Sequence, residues 1–278
     1  MAVLRQGAML KTEIINRLGA KHGFTRYLEI CTPTTGVRYG EVDRRQFTVC
    51  SRLMYRWCPE VSDEFKIDYP VLGEAIEPVI ADLQGQGLRY DVILVDPWHG
   101  YEASLRDMHL ALSVLSEGGV LVVHDCSPQS LDLAGPSFVD GCWCGMTYAA
   151  LIDFVAGEPD LDVYTVDTDY GCAVLTKRPP AAVVDAALRP DPEALKGWKA
   201  IGADFRDRFR FFDAHRGELL NLVTIPEFLE HEGMPTPKRL RPRAWVRGQN
   251  ELFLKCSLLW SKLIPPRKGG SDGLVGRG

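Results

Sequence analysis

The fold is decided by one stretch of the sequence, which runs from Tyr90 to Asp125 and reads YDVILVDPWHGYEASLRDMHLALSVLSEGGVLVVHD. Residues 90–96 and 120–125 are nearly continuous apolar runs that end in an acid, and residues 101–115 carry apolar side chains at helical spacing. Strands without polar alternation are buried on both faces, which is typical of a parallel sheet covered by helices. The stretch therefore predicts a strand–helix–strand unit of an α/β fold.

The flanking sequence continues the alternation of strands and helices. It predicts strands over residues 27–31, 47–50, 64–68, 161–167 and 172–175, and helices over residues 8–22, 37–45, 70–83 and 146–156. The predicted fold class is α/β, with a doubly wound Rossmann-like sheet that is mostly parallel and has a C-terminal antiparallel hairpin, plus a helical C-terminal extension. Two short helices are predicted within residues 191–232, after the sheet is complete.

Changes in composition divide the chain into four segments. The fourth segment is rich in proline, arginine and finally glycine, which predicts an arm and a flexible tail rather than a packed core. The predicted segments are an N-terminal helix (1–22), a Rossmann-like domain (23–180), a helical extension (181–235) and a basic C-terminal arm with a tail (236–278).

Charge is distributed unevenly along the chain. Residues 238–268 hold nine Lys and Arg against the single acid Glu251, a balance of +8, so the remainder must carry −13 for the total of −5. The acidic body argues against nucleic acid as a partner. Two interpretations of the arm stay open: a helix docked on its own domain or on a second subunit of a homodimer, or a helix in peripheral contact with anionic lipid.

The remaining composition is that of a soluble globular protein, with 46% hydrophobic and 25% charged residues. No stretch approaches the ~18–20 uncharged apolar residues of a membrane span. Charges interrupt the apolar residues at the N-terminus, so the sequence does not predict a signal peptide, and a cytoplasmic location is expected. Eight cysteines without framework spacing predict reduced thiols.

Polar residues or glycines follow four of the predicted strands directly. Ligands of open parallel sheets bind where the strands end at their carboxyl edge, so these places form the candidate site. The four places are Cys31–Gly36, Asp68, Asp96–Tyr101 and His124–Pro128. Each alone fits an ordinary turn or helix cap, whereas four at one edge favour a functional site.

Two blocks of sequence resemble the class I S-adenosylmethionine-dependent methyltransferases. The first is Tyr27–Ile30 with the glycine-containing loop that follows it, and the second is the stretch 90–125. The second block resembles a branch that includes sugar and natural-product O-methyltransferases, in which the fourth strand ends in Asp, His follows three residues later, and the fifth strand ends in His-Asp. The resemblance spans about residues 20–180, including the last helix (143–151) and the final hairpin (167–172), and is closest over 88–128.

The resemblance implies S-adenosylmethionine as the cofactor and assigns residues to it. Glu29 would order the loop beneath the methionine moiety, and a glycine in that loop would let the backbone approach the moiety closely. Asp68, at the end of the predicted third strand, would contact the adenine amino group. The implied cofactor-binding residues are Glu29, Thr34, Thr35, Gly36, Asp68 and Asp96.

The resemblance also implies catalytic roles at the ends of the fourth and fifth strands. Asp96 and Asp125 would face one another across adjacent strand ends and could hold a hard divalent cation such as Mg²⁺. His124 or His99 would be the general base, because a neutral imidazole titrates near working pH, and Asp125 joins them as a candidate catalytic residue. The alternative is that the His-Asp pair only caps the following loop.

The sequence departs from the family pattern in two places. The first loop reads CTPTTG instead of a string of glycines, and residues 49–52 offer no acid for the ribose hydroxyls at the predicted end of the second strand. Arg52 could there bind a phosphate or pair with a neighbouring acid.

The predicted function is S-adenosylmethionine-dependent O-methylation of a hydroxyl on a sugar or related small molecule, with metal assistance and a lipid-linked acceptor left open. Two alternatives remain from other classes. One is a degenerate Rossmann domain that binds a ligand or partner without transfer. The other is a metal-dependent hydrolase or hydroxylase that uses the same Asp and His residues.

Overall fold

The computed structural model describes residues 9–33, 35–56, 67–72, 75–139, 142–177 and 188–235. These residues all fall in one compact unit, Met1–Arg243. The arm and tail predicted for residues 236–278 lie outside the described residues, so the interpretations of that segment stay predictions. None of the helices in the described ranges is both long enough and apolar enough to cross a membrane.

One sheet of eight strands organises the described residues, in the order β3-β2-β1-β4-β5-β7-β6-β8. Only β7 runs antiparallel to its neighbours β5 and β6, while the other pairs are parallel. The predicted Rossmann-like sheet with a C-terminal antiparallel hairpin is therefore confirmed. The strands are β1 (Arg26–Cys31), β2 (Val49–Arg56), β3 (Tyr69–Leu72), β4 (Tyr90–Asp96), β5 (Leu115–Val123), β6 (Leu161–Val166), β7 (Cys172–Lys177) and β8 (Leu222–Val223).

Helices cover both faces of the sheet. The first helix ends at Gly23, whose φ of 70° is the left-handed conformation that glycine adopts at a helix end without steric cost. The helices are α1 (Lys11–His22), a 3-10 helix (Gly36–Glu41), α2 (Glu77–Gly85), α3 (Tyr101–Ser113), α4 (Thr147–Gly157), α5 (Pro192–Ala200), α6 (Phe205–Ala214), α7 (Arg216–Leu220) and α8 (Ile225–His231).

The apolar residues of the sheet and the helices form two buried clusters. Leu28 and Ile30 of β1 belong to one cluster, and Tyr27 of the same strand belongs to the other. The C-terminal extension contributes to both clusters, through Trp198 to the first and through Phe228 to the second. The extension is therefore part of the domain core, because its aromatic side chains are buried there.

The third strand and the helix after it lie later in the chain than the sequence pattern predicts. The strand predicted over residues 64–68 is formed by Tyr69–Leu72, and the helix predicted to begin at Pro70 begins at Glu77. Proline is tolerated both in a first helical turn and in an edge strand, and β3 is the edge of this sheet. Pro78, not Pro70, occupies the first turn of α2.

Two further differences concern the length of the sheet. The second strand, predicted over residues 47–50, continues to Arg56. The extension, predicted to hold two helices after a complete sheet, holds four helices and adds β8 beside β6. A strand of two residues carries no periodicity that a sequence could show.

A buried carboxylate joins α3 to β2. Tyr55 donates a hydrogen bond to Asp107 at 2.8 Å, and Arg106 Nε donates to the same carboxylate at 3.0 Å. Burial raises the pKa of Asp107 to about 6, against the lowering effects of Arg106 and Tyr55. The folded protein therefore holds this proton to a higher pH than the unfolded chain, in which an aspartate has a pKa of about 3.9.

We expect the Asp107→Asn variant to remove one component of the pH dependence of stability. The stabilisation from the raised pKa is fully present below about pH 4 and is lost as the pH rises through about 6. Relative to Asp107→Asn, the wild-type free energy of unfolding should therefore fall by about 2 kcal/mol between pH 4 and pH 7, measured by urea denaturation. The exposed control Asp132→Asn should show no such trend, and parallel curves for wild type and Asp107→Asn would contradict the prediction.

Candidate active site

Four of the predicted site residues meet at the carboxyl edge of the sheet. Asp96 ends β4, His99 follows in the next turn, and His124 and Asp125 follow β5. His99 Nε2 lies 3.2 Å from Asp96 Oδ1 and 3.3 Å from Asp125 Oδ2. His124 Nδ1 lies 3.4 Å and 3.3 Å from the same two oxygens. We call these four buried residues the Asp–His cluster.

The backbone turns sharply where β5 enters the cluster. Asp125 has a φ of 59°, the left-handed conformation, which aspartate visits more readily than most residues other than glycine. The next residue, Cys126, donates its backbone N–H to Gly171 O at 3.1 Å, so the turn is fixed against the β6–β7 hairpin. This turn holds the Asp125 carboxylate between the two histidines.

Lys11 extends the cluster from the N-terminal helix, and sequence reasoning missed it. Its side chain is buried, its Nζ forms an ion pair with Asp96 Oδ2, and the same Nζ donates to Thr35 O at 3.2 Å. In the sequence, Lys11 is one of several charges in an amphipathic helix, and Asp96 lies 85 residues away. No local signal could therefore have identified it.

The tip of the β6–β7 hairpin supplies a further acid that was also missed. Asp169 Oδ2 lies 3.3 Å from His124 Nε2 and accepts a hydrogen bond from Lys11 N at 3.0 Å. Beside it, Thr168 Oγ1 accepts from Met9 N at 3.1 Å and donates to Met9 O at 2.7 Å. The N-terminal segment is thus held on the hairpin tip, directly over the cluster.

Opposite charges outweigh burial in this cluster. Burial alone would raise the pKa of Asp96. The Lys11 ammonium and His124 together outweigh burial and hold this pKa well below its usual range. Burial likewise opposes ionisation of Asp169, yet His124 and Lys11 lower the pKa of that carboxyl to about 2. Burial lowers the pKa of His99 and His124, and the facing carboxylates raise both above their ordinary value.

The long loop after β5 reaches the cluster through Trp143. His99 Nδ1 donates a hydrogen bond to Trp143 O at 2.7 Å, because a carbonyl oxygen can only accept. The Trp143 ring lies 5.6 Å from the His99 ring and 4.6 Å from the Trp98 ring, between ring centres. The loop therefore contacts the site, and its Trp143 carbonyl orients His99.

The first loop packs tightly against β1 beside the cluster. A Cβ on Gly36 would lie 2.6 Å from Cys31 Sγ and 3.1 Å from Glu29 Oε1, so only glycine fits there. Thr35 Oγ1 hydrogen-bonds the backbone oxygen of Asp96, whereas Thr34 lies outside the described residues. Glu29 is buried and accepts from Tyr27 Oη at 2.8 Å, but its Oε1 has no hydrogen-bond partner among the described residues.

Arg52 lies beside the first loop. Its side chain is buried, with the guanidinium 3.8 Å above the centre of the Tyr39 ring and one nitrogen donating to Gly36 O at 3.2 Å. Arg52 is the β2 partner of Glu29 in the strand register, and its charge lowers the pKa of that carboxyl against the larger effect of burial. Both roles predicted for Arg52, binding a phosphate or pairing with an acid, stay predictions.

Asp68 does not occupy the position from which its adenine contact was predicted. It precedes β3 instead of ending the third strand, and its Oδ2 accepts from Arg52 N at 2.8 Å. The predicted end of the second strand likewise lies too early in the chain. Because β2 continues to Arg56, the residues after its end are 57–66, which lie outside the described residues.

A family model matches the part of the chain that carries the Asp–His cluster. Residues 53–126, which run from β2 to just beyond Asp125, match the model described as a methyltransferase domain. This match agrees with the strand order and the antiparallel β7 that are described above. Residues 53–126 are therefore similar to a methyltransferase domain. The family resemblance predicted from the sequence is therefore confirmed, whereas no curated protein sequence matches the chain.

Solved structures that are similar to this chain include three methyltransferases. An O-methyltransferase from Bacillus cereus in complex with S-adenosylhomocysteine is 13% identical, with a TM-score of 0.45 over 64% of this chain and 86% of that one. An O-methyltransferase of tomaymycin synthesis from Streptomyces achromogenes, in complex with S-adenosylmethionine, is 14% identical (TM-score 0.41; 61% and 80% of the chains). A methyltransferase from Podospora anserina, with S-adenosylhomocysteine bound, is 14% identical (TM-score 0.42; 61% and 78%).

Proposed function

We propose that the protein is an S-adenosylmethionine-dependent O-methyltransferase whose acceptor is a hydroxyl of a sugar or a related small molecule. The observation that carries the proposal is the convergence of Asp96, His99, His124 and Asp125 at the carboxyl edge of a methyltransferase domain. When bound, the cofactor supplies a methyl group on a sulfonium, which a hydroxyl oxygen accepts in line. The chain must then hold the acceptor and remove its proton.

The first loop and β1 offer a fit for the methionine end of the cofactor. The orphaned Glu29 Oε1 is buried beside Gly36, and a buried acceptor of this kind calls for a donor such as an amino group. Thr34, Thr35 and Gly36 would present backbone to the same moiety. Asp96 stands next to this loop, because Thr35 Oγ1 is bonded to its backbone oxygen.

His99 is the histidine that the geometry favours as the general base. Its Nδ1–H donates to the Trp143 carbonyl, so Nε2, which is bonded to Asp96 in this structure, is the nitrogen that carries the lone pair when the ring is neutral. That nitrogen faces Asp96 and Asp125, so the two carboxylates would stabilise the imidazolium formed when it takes the acceptor proton. His124, which faces the same carboxylates through Nδ1, is the alternative base.

Assistance of methyl transfer by a metal ion is a separate part of the proposal. One ligand atom from each of Asp96, His124 and Asp125 lies within 4.8 Å of the others, and the carboxylates of Asp96 and Asp125 would hold Mg²⁺, which would lower the pKa of an acceptor hydroxyl. The Asp96 carboxylate is also paired with the Lys11 ammonium, so a cation at this site would have to share that carboxylate with Lys11. The basic segment 238–268 supports a lipid-linked acceptor at a cytoplasmic membrane surface and leaves a homodimer open.

Calorimetry with S-adenosylmethionine and S-adenosylhomocysteine, with and without Mg²⁺, tests the proposal. Both ligands should bind, and a concentration of 100 Kd should stabilise the folded protein by about 2.7 kcal/mol, seen as a higher melting temperature. Glu29→Gln should weaken binding, whereas Glu102→Gln, an exposed acid on α3, should not.

The same titrations separate the alternatives. Binding of neither ligand would overturn the methyltransferase proposal and favour a domain that binds another ligand or partner. Mg²⁺ binding without either ligand would favour a metal-dependent hydrolase or hydroxylase.

A further inference from the structure

The imidazole of His124 stands between two groups of possible metal ligands. Its Nδ1 faces Asp96 and Asp125, as described above. Its Nε2 faces the opposite way, toward Asp169 Oδ2 at 3.3 Å. The ligand atoms of His124, Asp169 and Cys172 all lie within 4.8 Å of one another, so the second side of the ring has its own donor set.

Neither ring nitrogen of His124 makes a hydrogen bond of good geometry to a described residue, although the side chain is only 9% exposed and both nitrogens are buried. Both nitrogens face carboxylate oxygens at 3.3–3.4 Å without a well-directed hydrogen bond, an arrangement that a metal ion shared by histidine and carboxylate would satisfy. The 3.3 Å between His124 Nε2 and Asp169 Oδ2 equals the spacing expected of a tetrahedral zinc site. Ligands at zinc distances of about 2.0–2.3 Å lie about 3.3–3.6 Å apart.

The fold fixes the three donors through separate elements. Asp169 sits in the left-handed conformation at the hairpin tip, with φ of 49°, and Lys11 N donates to its Oδ2. Cys172 is the first residue of β7 and is fully buried. His124 follows β5, the strand that pairs with β7. The three side chains are therefore preorganised by the sheet and by the N-terminal segment.

We propose that His124 Nε2, Asp169 and Cys172 form a binding site for a borderline-soft divalent cation, of which zinc is the best match. Nitrogen, carboxylate and thiolate are the ligands that zinc prefers, whereas Mg²⁺ prefers oxygen alone, so this site differs in selectivity from one at Asp96 and Asp125. Cys172 would bind as the thiolate and release its proton to solvent. The proposal does not depend on methyl transfer.

A cation on Nε2 would also decide how His124 acts. A metal-bound histidine usually donates its other N–H to a carboxylate, and Nδ1 of His124 faces Asp125. The ring would then be held by metal on one side and by carboxylate on the other. Zinc at this site therefore excludes His124 as the base and leaves that role to His99.

The test uses the full-length chain after treatment with a chelator and removal of the chelator. Calorimetry with Zn²⁺ should give one site per chain, and Cys172→Ser and Asp169→Asn should each weaken it. Removal of an outer-shell partner weakens metal binding by about 10–100-fold. Loss of a direct ligand should weaken zinc binding by at least that factor. Co²⁺ in place of zinc should give a thiolate charge-transfer band that Cys172→Ser abolishes.

Two cysteine variants serve as controls. Cys126→Ser changes another fully buried thiol at the same edge, and Cys142→Ser changes an exposed one, so both should keep the zinc affinity and the cobalt band. Absence of zinc binding, or equal affinity in Cys172→Ser and Cys126→Ser, would overturn the proposal. If Cys172→Ser does not fold, a wild-type cobalt spectrum without the thiolate band overturns it as well. Because no cofactor is present, these outcomes are independent of methyl transfer.

Discussion

His99→Ala is expected to lower kcat for methyl transfer by about 10²–10⁴, with little change in the affinity for S-adenosylhomocysteine. The alanine removes the nitrogen that would accept the hydroxyl proton but leaves the first loop and Glu29 in place. The measurement is transfer of a labelled methyl group from S-adenosylmethionine to a panel of sugar and polyol acceptors, with calorimetry for the cofactor.

His109→Ala is the matched control for this prediction. His109 lies on α3, with a side chain about half exposed, and contacts Glu158 at 3.4 Å, away from the Asp–His cluster. Its replacement should leave kcat unchanged. His124→Ala tests the alternative base, and full activity in both His99→Ala and His124→Ala would rule out a histidine base.

Lys11→Met is expected to lower the free energy of unfolding by about 3–5 kcal/mol, because it leaves the Asp96 carboxylate buried without its ammonium partner. Methionine keeps the apolar length of the side chain, so the loss reports the charge. Urea denaturation at neutral pH measures it. Adding Asp96→Asn to Lys11→Met should recover part of the loss, since the double variant buries no unpaired carboxylate at that position.

A surface ion pair provides the comparison for Lys11. Lys196 and Glu193 form an exposed pair on α5, with side chains 78% and 81% exposed. Pairs of this kind contribute about 0–1 kcal/mol, so Lys196→Met should change stability little. Equal unfolding free energies for Lys11→Met and Lys196→Met would contradict the role assigned to the buried pair.

The centre of the fold could be predicted from the sequence because its strands are buried on both faces. Residues 90–96 and 120–125 have no polar alternation, and strands of that kind belong to parallel sheets covered by helices. The edges of the sheet could not be predicted in the same way. The edge strand β3 contains Pro70, which equally fits the start of a helix, and β8 is only two residues long.

The site could be predicted only as far as it follows from strand ends. Asp96 and His124–Asp125 end neighbouring parallel strands, so they had to meet, and His99 follows within one turn. The sequence placed Asp68 at the end of the third strand because it placed that strand at residues 64–68, whereas the strand is Tyr69–Leu72. Lys11 and Asp169 depend on how the N-terminal helix and the last hairpin fold back over the sheet, which no local pattern records.

The contacts of Lys11 also constrain the order in which the domain can assemble during synthesis on the ribosome. Its partners Asp96 and Asp169 lie 85 and 158 residues later in the chain. At a synthesis rate of about 5–20 residues per second, the second partner appears about 8–30 seconds after Lys11. Asp96 is made about halfway through that interval, whereas the hairpin tip with Asp169 is missing until its end. The contacts of Lys11 therefore become complete only after six of the eight strands have been made.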